Sequence, residues 1–227
     1  MRNISKLHFI TTNADAAEQA CKGGVDWIQL RLKDVSYDEY FRVGKEVQAV
    51  CEKYDATFIV NDNIKLALDL GADGVHVGKE DPLPQHYIDE MLGKGGIIGC
   101  TANTTEDILH FRGKPVSYLG LGPFRFTTTK QKLSPVLGIE GYKRIFEALK
   151  HANMYPIPPL IGIGGITVED VTALLDTGLY GIAVSGAIAS ADDITAAAAH
   201  QFINAHVIEM AAVGQVHIGS VCIRHPH

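Results

Sequence analysis

Short apolar runs rich in branched residues alternate along the whole chain with longer stretches whose apolar positions recur at helical spacing. The runs Leu7–Thr12, Trp27–Leu32, Thr57–Asn61, Gly74–Val77, Ile97–Cys100, Tyr118–Leu121, Leu160–Ile163 and Gly181–Ser185 predict strands. Helical patterns between them include Tyr37–Tyr54, Ile64–Leu70, Thr104–Phe111, Ile139–His151, Val168–Leu175 and Asp192–Ile208. Strands this short, separated by helix-length segments, predict βαβ units and a parallel sheet.

An internal echo narrows the choice. Gly23-Gly24-Val25-Asp26-Trp27-Ile28-Gln29-Leu30, Gly71-Ala72-Asp73-Gly74-Val75-His76-Val77 and Gly178-Leu179-Tyr180-Gly181-Ile182-Ala183-Val184 share one plan, a helix end, a glycine stop and a buried strand. Glycine suits the left-handed position that closes a helix, and a plan repeated along the chain marks a repeat architecture. Eight such units predict a single (β/α)₈ TIM barrel spanning residues 1–209, with a doubly wound open sheet as the competing fold. Residues 210–227 are assigned no function.

Length and composition agree with that reading. The chain has 227 residues, 46% apolar and 20% charged, which describes an ordinary core-forming domain. Its net charge is −6 and it has no block of Lys or Arg, so neither nucleic acid nor a membrane surface is an expected partner. Cys21, Cys51, Cys100 and Cys222 are widely spaced and form no C-x-x-C pair, which argues against structural zinc and a disulfide framework. Residues 1–6 carry no apolar core of signal-peptide length, and no run approaches a membrane span, so a cytoplasmic protein is expected.

In a barrel of this kind, chemistry belongs to the loops after the strands. Five constellations fall there. In Gln29-Leu30-Arg31-Leu32-Lys33, strand alternation puts Gln29, Arg31 and Lys33 on one face. Inside the barrel mouth they would require an anion or polar ligand, whereas outside they would be a solvated face. Asn61-Asp62-Asn63 and the loop Gly78-Lys79-Glu80-Asp81 place Asp62 and Asp81 at the mouths of neighbouring strands. Paired carboxylates suit Mg²⁺ completed by substrate phosphates, while each segment alone also suits a turn or a helix cap. His76 reads either as a site residue or as a satisfied interior histidine. Beyond Gly120-Leu121-Gly122-Pro123, a long segment without helical pattern carries Thr127, Thr128, Thr129 and Lys130, donors suited to phosphate or to a solvated loop. Gly162-Ile163-Gly164-Gly165-Ile166-Thr167 and Val184-Ser185-Gly186-Ala187 follow the seventh and eighth strands, where backbone N–H groups and helix starts build phosphate sites. No Cys–His or Ser–His pair is evident, so a protein nucleophile is not indicated.

These motifs, in this order from Leu7 to Ile208, resemble the thiamine-phosphate synthases. The resemblance implies that a pyrimidine pyrophosphate and a thiazole phosphate are joined and that pyrophosphate leaves. It implies Asp62 and Asp81 as Mg²⁺ ligands, with Gln29, Arg31, Lys33 and Asn61 holding the pyrimidine pyrophosphate. Lys130 becomes a second pyrophosphate contact, and Arg31, Lys33 and Lys130 become the catalytic cations. Thr127, Thr129, Gly164, Gly165, Ser185 and Gly186 would form the thiazole-phosphate site, and Thr101 and His76 would lie near the pyrimidine. The metal and cations would stabilise departing pyrophosphate while a pyrimidine-methyl cation develops and is captured by the thiazole nitrogen. Three positions depart from the family pattern: Leu32 replaces a common acidic residue, Arg125-Phe126 a common Tyr-Pro, and Asn103 a frequent histidine. Small-molecule substrates are the expected partners, and a homo-oligomer is compatible with the sequence. Competing readings are a thiazole tautomerase, a barrel that only binds a thiazole phosphate, and a sugar-phosphate epimerase.

Overall fold

A computed structural model describes residues 3–79, 81–126 and 135–198. Its strands are β1 (Leu7–Thr11), β2 (Trp27–Leu30), β3 (Thr57–Asn61), β4 (Gly74–Val77), β5 (Ile97–Ala102), β6 (Tyr118–Leu121), β7 (Leu160–Ile163) and β8 (Gly181–Val184). All pair in parallel, each with the next in sequence, and β1 with β8 closes the barrel. The expected TIM barrel is therefore the fold, and the open sheet is excluded.

The helices outside the barrel are α1 (Ala14–Lys22), α2 (Tyr37–Tyr54), α3 (Ile64–Leu70), α4 (Gln85–Gly93), α5 (Thr105–His110), α6 (Gly138–His151), α7 (Val171–Leu175), α8 (Gly186–Ala189) and α9 (Ile194–Ala196). Local chemistry sets their ends. Ser36 caps α2 by accepting from Glu39 N at 3.2 Å, and Asn63 caps α3 by accepting from Leu66 N at 2.9 Å. Gly71 closes α3 at φ 68°, as the repeated glycine stop predicted. The Val168–Leu175 helix is divided into a 3₁₀ turn over Val168–Asp170 and α7. Of the expected Asp192–Ile208 helix, α9 lies within the described residues and the part beyond residue 198 lies outside them.

The first core lies between strands and helices, and the second fills the barrel. Ile10, Trp27, Ile59, Ile97, Tyr118, Ile161 and Ala183 make the inner cluster. His8 stacks on Trp27 with ring centroids 4.2 Å apart, and Tyr118 meets both rings edge-on. Gly99 makes room for this plug, because a Cβ there would stand 2.2 Å from Tyr118 Cζ. The barrel is thus solid beneath the C-terminal ends of its strands.

Candidate active site

Above the aromatic plug, the next inward residue on several strands is polar. Gln29 lies two positions beyond Trp27, Asn61 two beyond Ile59, and Thr101 two beyond Gly99. Gln29 and Asn61 are 3% and 4% exposed, so their amides need partners. They find each other: Gln29 Nε2 donates to Asn61 Oδ1 at 2.6 Å. The Tyr40 hydroxyl, from α2, holds the same corner by donating to Leu30 O at 2.8 Å and Asn61 O at 3.1 Å. His76 shares one hydrogen bond with the Tyr118 hydroxyl (Nδ1, 3.0 Å) and one with Thr101 Oγ1 (Nε2, 3.2 Å). His76 is thus a satisfied interior histidine, and it stands beside Thr101 on the polar layer.

Arg31 and Lys33 require a correction. The strand expected to run to Leu32 ends at Leu30, so alternation cannot orient either cation. Arg31 N still donates to Thr11 O at 2.9 Å, after which the chain turns through Asp34 at φ 56° to reach the α2 cap. Arg31 is half-buried and Lys33 exposed, both on the loop leaving the rim. In the other direction β5 runs on to Ala102, which puts Thr101 on a strand.

The three residues of Asn61-Asp62-Asn63 divide three tasks. Asn61 faces inward, and Asn63 caps α3. Asp62 sits between them in the left-handed region at φ 67°, with its N–H donating to His76 O at 2.7 Å. That bond ties the end of β3 to β4, whose following loop carries Asp81. Asp81 Oδ2 accepts from Gly78 N at 2.6 Å, which fixes the carboxylate within its own turn. Among the described residues no group of three His, Cys, Asp and Glu side chains is placed to hold a metal. Two carboxylates on adjacent strand ends still fit Mg²⁺, which takes one or two protein carboxylates and fills its other positions with water and phosphate.

On the opposite wall, the cis Gly122–Pro123 peptide carries the chain from β6 across the end of β7. Phe124 N donates to Ile163 O at 2.8 Å, and Arg125 N to Gly164 O at 2.9 Å. Gly164 and Gly165 adopt φ 101° and 68°, positive values that favour glycine. Ser185 and Gly186 are exposed at the end of β8, and a Cβ on Gly186 would meet open space. The helix starts expected to add positive charge here are small: a 3₁₀ turn of three residues follows β7, and α8 has four residues. Short helices carry little dipole, so an anion here would depend on the backbone N–H groups of the two turns more than on helix starts. Thr127, Thr129 and Lys130 lie outside the described residues.

Sequence reasoning missed two features of this wall. Asn103 Nδ2 donates to Gly122 O, joining the loops after β5 and β6. Arg125 forks onto Asp170, with Nη2 2.6 Å from Oδ1 and Nη1 bonded to Oδ2. The spacing of Thr167 and Asp170 is that of a capping box, which marks Asp170 as a cap but gives no sign of its partner. The described cysteines are buried, with burial pushing the Cys21 thiol up to about 11 and Cys100 to about 12. Neither is a thiolate nucleophile at neutral pH.

Residues 4–188 match the family described as thiamine monophosphate synthase. The thiamine-phosphate synthase of Phocaeicola vulgatus is 47% identical over 189 residues, 82% of this chain and 89% of that protein. That of Archaeoglobus fulgidus is 38% identical over 190 residues, 84% of this chain and 85% of that protein. The solved thiamine phosphate pyrophosphorylase of Pyrococcus furiosus superposes with a TM-score of 0.74 at 31% identity, covering 92% of this chain and 97% of its own. A 3-hexulose-6-phosphate synthase superposes at 0.60 with 18% identity, a likeness of fold alone. With a closed eight-stranded barrel, a polar layer at its C-terminal rim and relatives this similar along most of its length, this chain belongs to the thiamine monophosphate synthase family.

Proposed function

We propose that this chain is a transferase that joins 4-amino-2-methyl-5-hydroxymethylpyrimidine pyrophosphate to 4-methyl-5-(2-phosphooxyethyl)thiazole, giving thiamine phosphate and pyrophosphate. The observation that carries this reading is the Gln29–Asn61 pair, buried at the rim beside Asp62 and facing the glycine turn after β7. Two groups of anion-directed residues on opposite walls suit two phosphorylated substrates. The pyrimidine pyrophosphate is assigned to Gln29, Arg31, Lys33 and Asn61, with Lys130 as a further contact. The pyrimidine ring is assigned to the side of Thr101 and His76. The thiazole phosphate is assigned to Gly164, Gly165, Ser185 and Gly186, with Thr127 and Thr129.

Asp62 and Asp81 would hold Mg²⁺, which when bound neutralises charge on the leaving pyrophosphate. The remaining work belongs to the chain. Arg31, Lys33 and Lys130 are the cations that stabilise negative charge as the C–O bond breaks. The solid aromatic plug closes the barrel below the reacting carbon and keeps water from that side. The phosphate turn holds the thiazole so that its nitrogen faces the pyrimidine methylene, replacing a bimolecular encounter by a positioned one.

No helix among the described residues is long and apolar enough to cross a membrane. Purified protein mixed with both substrates and Mg²⁺ is expected to give thiamine phosphate by mass spectrometry, and EDTA is expected to abolish it. Folded protein that binds the thiazole phosphate without forming product would overturn the reading in favour of a tautomerase or a binding protein.

A further inference from the structure

Two successive carbonyls of the glycine turn after β7 are held by one residue. Arg125 N donates to Gly164 O at 2.9 Å, and Arg125 Nη1 donates to Gly165 O at 3.0 Å. In a trans peptide the N–H points opposite to its C=O. Fixing those two carbonyls therefore turns the N–H groups of Gly165 and Ile166 the other way, and neither finds an acceptor among the described residues. Two adjacent N–H groups aimed together form an anion-binding concavity.

Arg125, although exposed, is held by two further contacts. Its guanidinium lies 4.5 Å from the centre of the Phe124 ring and forks onto Asp170, which is 9% exposed. Asp170 Oδ2 also accepts from Thr167 N at 2.8 Å and Thr167 Oγ1 at 2.9 Å, so the carboxylate ties the arginine to the far side of the same turn. Burial works against the charge on Asp170, yet the Arg125 bond and the Thr167 donors hold its pKa below the usual carboxylate value. A Cβ on Gly165 would stand 2.9 Å from Arg125 Cβ, so turn and arginine are fitted to one another.

We infer that Arg125 is a positioning residue for phosphate recognition: its fork with Asp170 presets the Gly164–Gly165–Ile166 turn so that two backbone N–H groups meet the phosphate of the thiazole substrate. The inference rests on the proposed function above. Arg125 acts through orientation, because Asp170 neutralises its charge. A planar fork is required, and a lysine cannot supply it.

The test compares wild type with Arg125→Ala, Arg125→Lys and Asp170→Asn. Calorimetry measures binding of the thiazole phosphate and of the phosphate-free thiazole alcohol, and steady-state kinetics give KM for each substrate. Arg125→Ala is expected to weaken thiazole-phosphate binding about tenfold, equivalent to about 1.4 kcal/mol, without changing alcohol binding. KM for the thiazole phosphate should rise while that for the pyrimidine pyrophosphate and kcat stay within about twofold, a split expected when binding is lost equally from the ground and transition states. Arg125→Lys should behave like Arg125→Ala, and Asp170→Asn should shift in the same direction. Equal weakening of alcohol and phosphate, full recovery by Arg125→Lys, or unchanged binding in Arg125→Ala would each overturn the inference. If Arg125→Ala does not fold, Arg125→Lys and Asp170→Asn carry the same comparison. Wild type that forms no thiamine phosphate would count against the proposed function, and its phosphate-over-alcohol preference would still test the turn.

Discussion

The Gln29–Asn61 pair separates stability from function. Asn61→Leu keeps the branched side-chain shape but removes the acceptor at 2.6 Å, leaving the Gln29 amide buried with its donor unmet. Such an orphaned group costs about 1–3 kcal/mol, whereas replacing both partners by apolar groups of similar shape is nearly neutral. For a chain of this length each kcal/mol moves Tm by about 2–4 °C. Asn61→Leu and Gln29→Met should therefore each lower Tm by several degrees. The double variant should lose clearly less than the sum of the two. The Tyr40 hydroxyl accepts nothing from either side chain and bonds main-chain carbonyls, so the corner keeps its backbone in all three variants.

Activity should follow the opposite course. If the paired amides read the pyrimidine pyrophosphate, the double variant regains stability and remains without turnover, because no apolar replacement restores a polar edge. Urea melts with a double-mutant cycle give the coupling energy, and initial rates at saturating Mg²⁺ give activity. Additive destabilisation would refute the pairing. A stable double variant turning over at the wild-type rate would refute the site assignment.

Three further outcomes are expected. Asp62→Asn keeps a residue type that tolerates φ 67° but removes the carboxylate; it should cut turnover on the order of a hundredfold and raise the Mg²⁺ needed for half-maximal rate. An unchanged Mg²⁺ titration would dismiss Asp62 as a ligand. Gly99→Ala forces a Cβ to 2.2 Å from Tyr118 Cζ, and overpacking of this kind costs about 1–3 kcal/mol; an unchanged Tm would mean that the plug does not fill that space. Burial holds His8 neutral, its pKa pushed down to about 3 against the pull of the Ser5 carbonyl, with His76 adding to the depression. The unfolded chain takes up a proton below about pH 6.5 and the native ring does not, so this contribution is present above that pH and is lost as pH falls toward 3. Between pH 7 and 5, wild type should lose about 2 kcal/mol more than His8→Phe in urea melts, and equal losses would refute the assignment.

The fold was legible because its signals are local. Strand runs, helix spacing and glycine stops at Gly24, Gly71 and Gly178 all act within a few residues, and all three glycines take positive φ. The inward direction of Gln29 followed from alternation, but its partner did not, because pairing Gln29 with Asn61 depends on the register between β2 and β3. The strand before Arg31 and Lys33 was read two residues too long for a related reason: apolar Leu32 extended the pattern, while β2 ends at Leu30 and the chain then turns through Asp34. Arg125 stood out only as a departure from a family pattern. Its partner lies 45 residues on, across a strand boundary, where no sequence period reaches.

Layering inside the barrel joins these observations. Along the parallel strands, an isoleucine and aromatic layer comes first and a polar layer follows it two residues later. The lower layer buries His8 Nδ1 and Trp27 Nε1 with no protein partner among the described residues. The upper layer is held by its own bonds and by one to the layer below, Gln29 by Asn61 and His76 by Thr101 and by Tyr118 beneath it, so it keeps its shape before any ligand arrives. A ligand must then match or replace bonds that already exist. A molecule of the right size with the wrong polar edge leaves a buried amide unmet, and that penalty discriminates more strongly than apolar fit does. Under the proposed function, selectivity for the pyrimidine substrate would come from the same hydrogen bonds that hold the rim together.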